Sequence, residues 1–207
     1  TKMRTCRLEN ATPQRLNMLT ALNLNALENM AAYNMKNGIC LYRISSELIP
    51  FGSHPAAEFC WQEIFKERFA RIGDTIRQAG MRVSMHPGQY TVLNSNRPGV
   101  VQRAMDELCY HERVLSSLGT DCTHKIVLHI GGVFGDKKTA LKRFRTHFDY
   151  LDDAVKRRIV IENDDRYFDV ADVLETGHRL GIPVVFDSLH HHINGCDTAR
   201  PPFEWIR

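Results

Sequence analysis

His86, His129, Glu162 and Asp187 are residues of metal-binding type that share one local setting. Each stands directly behind a short apolar run: Arg82-Val-Ser-Met, Lys125-Ile-Val-Leu, Arg158-Ile-Val-Ile and Pro183-Val-Val-Phe. His190 follows Asp187 by three residues. Imidazole nitrogen mixed with carboxylate oxygen suits manganese, zinc or iron, whereas magnesium and calcium prefer oxygen alone. Taken singly, a His or Asp at the end of an element is more often a structural hydrogen-bonding residue. Gathered at equivalent positions, the carboxylates call for cations, because a buried charge left uncompensated is strongly destabilising. The set is therefore expected to hold a divalent ion.

The apolar runs read as strands, and helical periodicities separate them. Thr12-Pro13 is a cap and first-turn pair, followed by Leu16, Leu19, Asn23, Leu27, Met30 and Asn34 at helical spacing as far as Asn37-Gly38. Ile39 to Ile44 is a first strand, and Trp61, Phe65, Phe69, Ile72 and Ile76 mark a second helix closed by Gly80. Further helices run through Val101, Ala104, Leu108 and Leu115, through Leu141, Phe144, Phe148 and Leu151, and from Asp169 to Gly181. Continuous rather than alternating apolar strands are what burial on both faces of a parallel sheet produces. An α/β architecture follows, with one domain over residues 1–207. An open doubly wound sheet and a closed barrel are built from the same unit. Four consecutive strands that end in potential ligands favour the TIM-type (β/α)8 barrel, which aims its strand ends at one mouth. Five strands are visible where a barrel has eight, so the sequence reads as an incomplete barrel lacking its first and last two strands.

Other residues at the same strand ends are candidates for substrate contact or support. Arg43 and His54 follow the first strand at its carboxyl side, and Asn163, directly after Glu162, can orient a ligand or simply serve the turn. Gly131-Gly132 is explained by a tight turn as well as by phosphate approach. Lys137, Lys138, Lys142, Arg143 and Arg145 read as a solvated helix face, and His191 and His192 as loop residues. In Ser84-Met-His-Pro-Gly-Gln-Tyr90, Pro87-Gly88 forces a turn that presents Gln89 and Tyr90 at a rim. An ordinary loop with Tyr90 packed back on the barrel accounts for this segment, but an aromatic beside an amide is also what a protein needs to enter a duplex, stacking on bases with one and bonding to their edges with the other.

Composition sets the outer bounds. The chain has 207 residues, 43% of them hydrophobic and 25% charged, the balance of a soluble globular protein. Its formal net charge of +3 permits a polyanionic partner without demanding one. No run approaches the ~20 apolar residues of a membrane span, and the opening residues lack the design of a secretory signal. Six scattered cysteines without a Cys-x-x-Cys pair read as reduced thiols. A cytoplasmic protein is expected, or a nuclear one if the source is eukaryotic, with no membrane partner.

Five strings, FGSHP (51–55), SMHPGQY (84–90), VLHIGG (127–132), VIEND (160–164) and VVFDSLHH (184–191), resemble in this order the UV damage endonuclease family. The resemblance implies a xylose isomerase-like TIM barrel, related to the apurinic endonucleases, that holds up to three divalent ions, commonly manganese. It implies hydrolytic nicking of double-stranded DNA immediately 5′ to ultraviolet photoproducts, without an obligatory protein partner and as a monomer when complete. On that pattern His86 and His129 ligate one ion, Glu162 bridges to a second, Asp187 ligates the second and His190 binds a third, while Gln89 and Tyr90 match the pair that probes the duplex. The family's first strand, with its glycine-tyrosine start and asparagine, has no counterpart here. The lysine, histidine and glutamate of its last two strands are likewise unmatched. A metal-dependent sugar isomerase or epimerase on the same barrel, and a non-catalytic binder of damaged DNA, are the alternatives.

Overall fold

The computed structural model describes residues 3–55, 59–197 and 200–206. It contains two compact units, Thr1–His86 with Asp106–Lys125, and Pro87–Met105 with Ile126–Arg207. Among the described residues five strands occur where five were expected, and each is parallel to its partner within its unit.

In the first unit, helix α1 (Pro13–Lys36) opens as its sequence predicts. The Thr12 side chain accepts the Arg15 N–H, and proline fills the first turn. Strand β1 (Leu41–Ile44) pairs with β2 (Arg82–Met85), from Leu41↔Arg82 to Ile44↔Met85. The expected second helix is two: α2 (Trp61–Ile64) and α3 (Lys66–Gln78), parted where Phe65 leaves helical geometry at φ −109°, ψ 13°. Buried Asn23 on α1 binds the Arg4 main chain through both its N–H and its carbonyl, and donates to the Leu48 carbonyl, so a polar residue on an apolar face has its capacity met. Arg68 of α3 clasps Glu28 of α1 with two nitrogens at 3.0 and 2.8 Å and caps the Ala21 carbonyl.

Gly73 lets α3 approach the chain at Leu118, whose carbonyl oxygen lies 1.9 Å from where a Cβ would stand. Helix α4 (Pro98–Ser117) contributes its residues from Asp106 onward to this unit, including fully buried Tyr110 and His111. Burial pushes the His111 pKa down to about 4.

The second unit carries β3 (Lys125–His129), α5 (Lys137–Asp149), α6 (Asp153–Arg158), β4 (Ile159–Glu162), α7 (Val170–Leu180), β5 (Val184–Val185) and α8 (Ser188–Ile193). Strand β4 lies between β3 and β5 and is buried at every position. Burial on both faces holds for it and for the middle of β3. It does not hold for β1, where only Ile44 is buried, or for β5, two half-buried residues. Helix α7 has a complete capping box between Asp169 and Asp172 and a left-handed Gly181 at its end, the local signals read in the sequence. His191 and His192, expected in a loop, belong to α8, and His191 is buried beside Phe186 and Trp205. Among the described residues, no helix is long and apolar enough to cross a membrane.

Two outcomes follow from the first unit. Gly73→Ala sets a methyl group against main chain, which cannot swing aside, and should lower unfolding free energy by ~1–3 kcal/mol. An unchanged urea midpoint would contradict this packing. His111 binds its proton more weakly folded than unfolded, so between about pH 6.5 and its folded pKa of about 4 stability should fall as pH falls. From pH 7 to pH 5 the group should remove ~2 kcal/mol. His111→Gln should therefore show a correspondingly flatter dependence in urea titrations at the two pH values.

Candidate metal centre

Parallel pairing of β3 with β4 ends on His129↔Glu162, so two residues of ligand type stand side by side at the carboxyl ends of adjacent strands. Their atoms Nε2 and Oε2 are 3.3 Å apart, with the Glu162 side chain only 6% exposed. A carboxylate so deeply placed at the end of an apolar strand needs a positive partner. Strand β5 supplies the next residue. Its ladder with β4 stops at Glu162↔Val185, and two residues later Asp187 caps α8, accepting the His190 N–H at 2.8 Å. The first turn of α8 thereby brings His190 back over the strand ends, its ring centroid 5.5 Å from that of His129.

Asn163 holds this corner together. Its side chain accepts the Asp187 N–H at 2.8 Å and donates to the Asp187 carbonyl at 2.9 Å, continuing the short β4–β5 ladder with an amide in place of main chain. Its own carbonyl lies 2.9 Å from His190 Nδ1, so that nitrogen carries the proton and Nε2 keeps its lone pair for a ligand. Glu162, Asp187 and His190 each offer a ligand atom, all within 4.8 Å of one another. Mixed nitrogen and oxygen donors fit manganese, zinc or iron and argue against an all-oxygen calcium or magnesium site.

The other expected site residues are placed as follows. His86 comes directly after β2 in the first unit, half-buried, its carbonyl accepting the Ser46 hydroxyl at 2.6 Å. Arg43 on β1 is exposed, and so is His54, whose ring meets Phe51 edge-on. In the second unit Gln89 and Tyr90 lie exposed on the turn behind Pro87-Gly88, with Tyr90 at 69%. At Gly88 a Cβ would stand 2.4 Å from the Tyr90 ring, so a side chain there would move the ring from this position.

Gly131 has a packing explanation as well. It adopts φ +113°, and a Cβ would fall 2.6 Å from both Asn94 and Val92. Two members of the basic cluster are engaged rather than merely solvated: Lys137 pairs with Asp172 at 2.5 Å, and Arg143 donates to the Asn94 carbonyl at 2.8 Å. Nothing near Ser46 in the sequence marks it, since its partners are distant along the chain. The helical register that turns His190 toward Asn163 could have been found from Asp187, an N-cap residue three positions earlier.

Comparison with known proteins bears on this arrangement. The chain is 46% identical over 173 residues to the UV DNA damage endonuclease of Clostridium perfringens, a match covering 84% of this chain and 42% of that protein. It superposes on the crystal structure of SacUVDE with a TM-score of 0.93 and 39% identity, over 99% of this chain and 70% of that one. The α/β class expected from the sequence agrees with that match, which allows the expected incomplete barrel. A D-psicose 3-epimerase from Clostridium cellulolyticum H10, solved with D-tagatose, matches at a TM-score of 0.59 and 14% identity, over 82% of this chain and 61% of that one, a likeness of fold alone. The chain spans about half the length of the curated relatives it matches. The model of UV-endonuclease UvdE matches residues 1–201, and on that footing the chain belongs to this family.

Proposed function

We propose that this chain provides the ligand cluster and the DNA-probing turn of a metal-dependent repair endonuclease that cuts duplex DNA 5′ to ultraviolet photoproducts by phosphodiester hydrolysis. One observation carries the reading: a family member holds Glu162, Asp187 and His190 with ligand atoms within 4.8 Å, the carboxylate of Glu162 almost wholly buried. His86 and His129 complete the set of catalytic ligands, for up to three ions, with manganese the first choice and zinc or iron next. Bound there, divalent ions would supply Lewis acidity and a water of lowered pKa, so no side-chain nucleophile is needed.

The chain's own residues do the rest. Asn163 orients His190 and fixes Asp187, while Gln89 and Tyr90 enter the duplex where the damaged dinucleotide stacks poorly, choosing the lesion by the ease of unstacking it. To Arg43 and His54 we assign contact with the DNA, a role that their exposure supports. The complete protein acts as a monomer without an obligatory protein partner, in the cytoplasm. The sugar-epimerase alternative rests on fold likeness alone, which leaves function undecided.

Equilibrium dialysis of folded protein against manganese should find at least one bound equivalent, and His129→Ala should weaken the site at least ~10-fold, the scale reached even by outer-shell changes. Retention of less than a tenth of an equivalent of manganese, zinc or iron by the wild type would refute the metal reading. Tyr90→Ala should leave metal content unchanged and weaken binding to photodamaged duplex by ~1–3 kcal/mol, roughly 5- to 150-fold, in fluorescence anisotropy. Tyr90→Phe should be far milder, and a mismatch opposite the lesion should partly rescue the alanine variant. Equal binding of intact and mismatched damaged duplex by both forms would move the weight to the sugar enzyme.

A further inference from the structure

The first unit contains a partly buried polar cluster, around Ser46, that the proposed chemistry does not use. The ladder between β1 and β2 closes at Ile44↔Met85. One residue beyond β2 the His86 carbonyl accepts the hydroxyl of Ser46 at 2.6 Å. This contact extends the β1–β2 pairing past its last main-chain bond and sets the backbone of His86 just before Pro87.

Ser46 is itself held from two sides. Its carbonyl accepts the hydroxyl of Tyr110 at 2.9 Å, and that same phenolic oxygen receives the Ile49 N–H at 3.1 Å, tying the whole turn after β1 to α4. Its hydroxyl faces Nε2 of His111 at 2.9 Å, while Nδ1 of that ring lies 2.7 Å from the Glu107 carbonyl. A carbonyl can only accept, so the proton of the neutral His111 ring sits on Nδ1 and Nε2 is an acceptor. The Ser46 hydroxyl then has its one proton between two acceptors, with His86 the nearer. Tyr110 is 1% exposed and His111 not at all, so the α4 side of this arrangement is shielded from water, while Ser46 and His86 are half-buried.

We infer that Ser46 is a positioning residue for metal binding, its hydroxyl fixing the main chain of His86 and through it the direction of the imidazole. The inference rests on the ligand role proposed for His86, and its test separates the two.

Manganese titration should show Ser46→Ala weakening affinity about 10-fold, the lower end of what outer-shell partners contribute. Ser46→Thr, which keeps the hydroxyl, should restore most of the loss. In a His86→Ala background the same substitution should have no further effect, because Ser46 acts only through His86. A residue that merely stabilised the fold would lower affinity equally in both backgrounds, and that result would overturn the inference, as would wild-type affinity in Ser46→Ala.

A metal-free measurement keeps the question independent of the metal reading. In nuclear magnetic resonance spectra, Ser46→Ala should shift the His86 carbonyl carbon and broaden or move its ring signals, leaving those of His129 in place. A wild type that binds no manganese while His86 responds in this way would sink the ligand reading and leave the positioning contact standing. His86 signals unmoved by Ser46→Ala would sink the positioning role whatever the metal data show.

Discussion

The second unit is organised around one electrostatic demand, the carboxylate of Glu162 at the end of a strand buried at all four positions. An ionised carboxylate in such a place is stable only with a cation or a dense set of donors. His129 Nε2 at 3.3 Å is suitably placed to share a positive centre with it. The apolar residues Ile159, Val160 and Ile161 explain why β4 is central to the local sheet. The same burial makes the last residue of the strand so sensitive to what surrounds it. Strong packing and strong electrostatics thus have one cause: the strand that is best buried is the one whose terminal charge has least access to water.

Meeting that demand requires precision from a poor scaffold, since β5 has only two ladder residues. Two main-chain pairings cannot by themselves hold Asp187 and His190 in register with Glu162. Asn163 solves the problem because a carboxamide presents the same donor and acceptor as a peptide group. Its two bonds to Asp187 act as one more rung, and its main-chain carbonyl then sets the tautomer of His190. Being wholly buried, this amide has no water to compete for its partners, so its bonds are directional constraints rather than incidental contacts. Loss of the side chain would therefore disturb two candidate ligands at once.

What could be read in the sequence was whatever has a local cause. Thr12-Pro13 opens α1, and Asp169 with Gly181 bounds α7, because capping involves residues three or four apart. The positions of His129 and Glu162 at strand ends were legible from the apolar runs before them, and register then made them partners. The rest depends on distant residues. Helix α8 is six residues long, too short for a periodicity, and His191 is buried by Phe186 and Trp205 rather than by its own segment. The hydroxyl of Ser46 finds its partners 40 and 65 positions away, so nothing in its neighbourhood marks it. Gly131 looked like a turn glycine, and only the approach of Val92 and Asn94 shows why a side chain is excluded.

Fold and chemistry separate at the loops. The likeness to a D-psicose 3-epimerase at a TM-score of 0.59 shows that this strand and helix framework is not confined to nucleases. A sugar is small enough to be enclosed and is served by polar groups facing inward, whereas a duplex must be met by something that projects. Tyr90 projects: it is 69% exposed, on a turn whose preceding glycine leaves room for its ring and whose proline fixes the backbone. On the proposed reading, a ring so exposed beside a polar amide is available to a partner with flat apolar faces. Nucleobases have such faces, and under the proposed function a damaged pair that stacks weakly would leave the gap for a ring of this size.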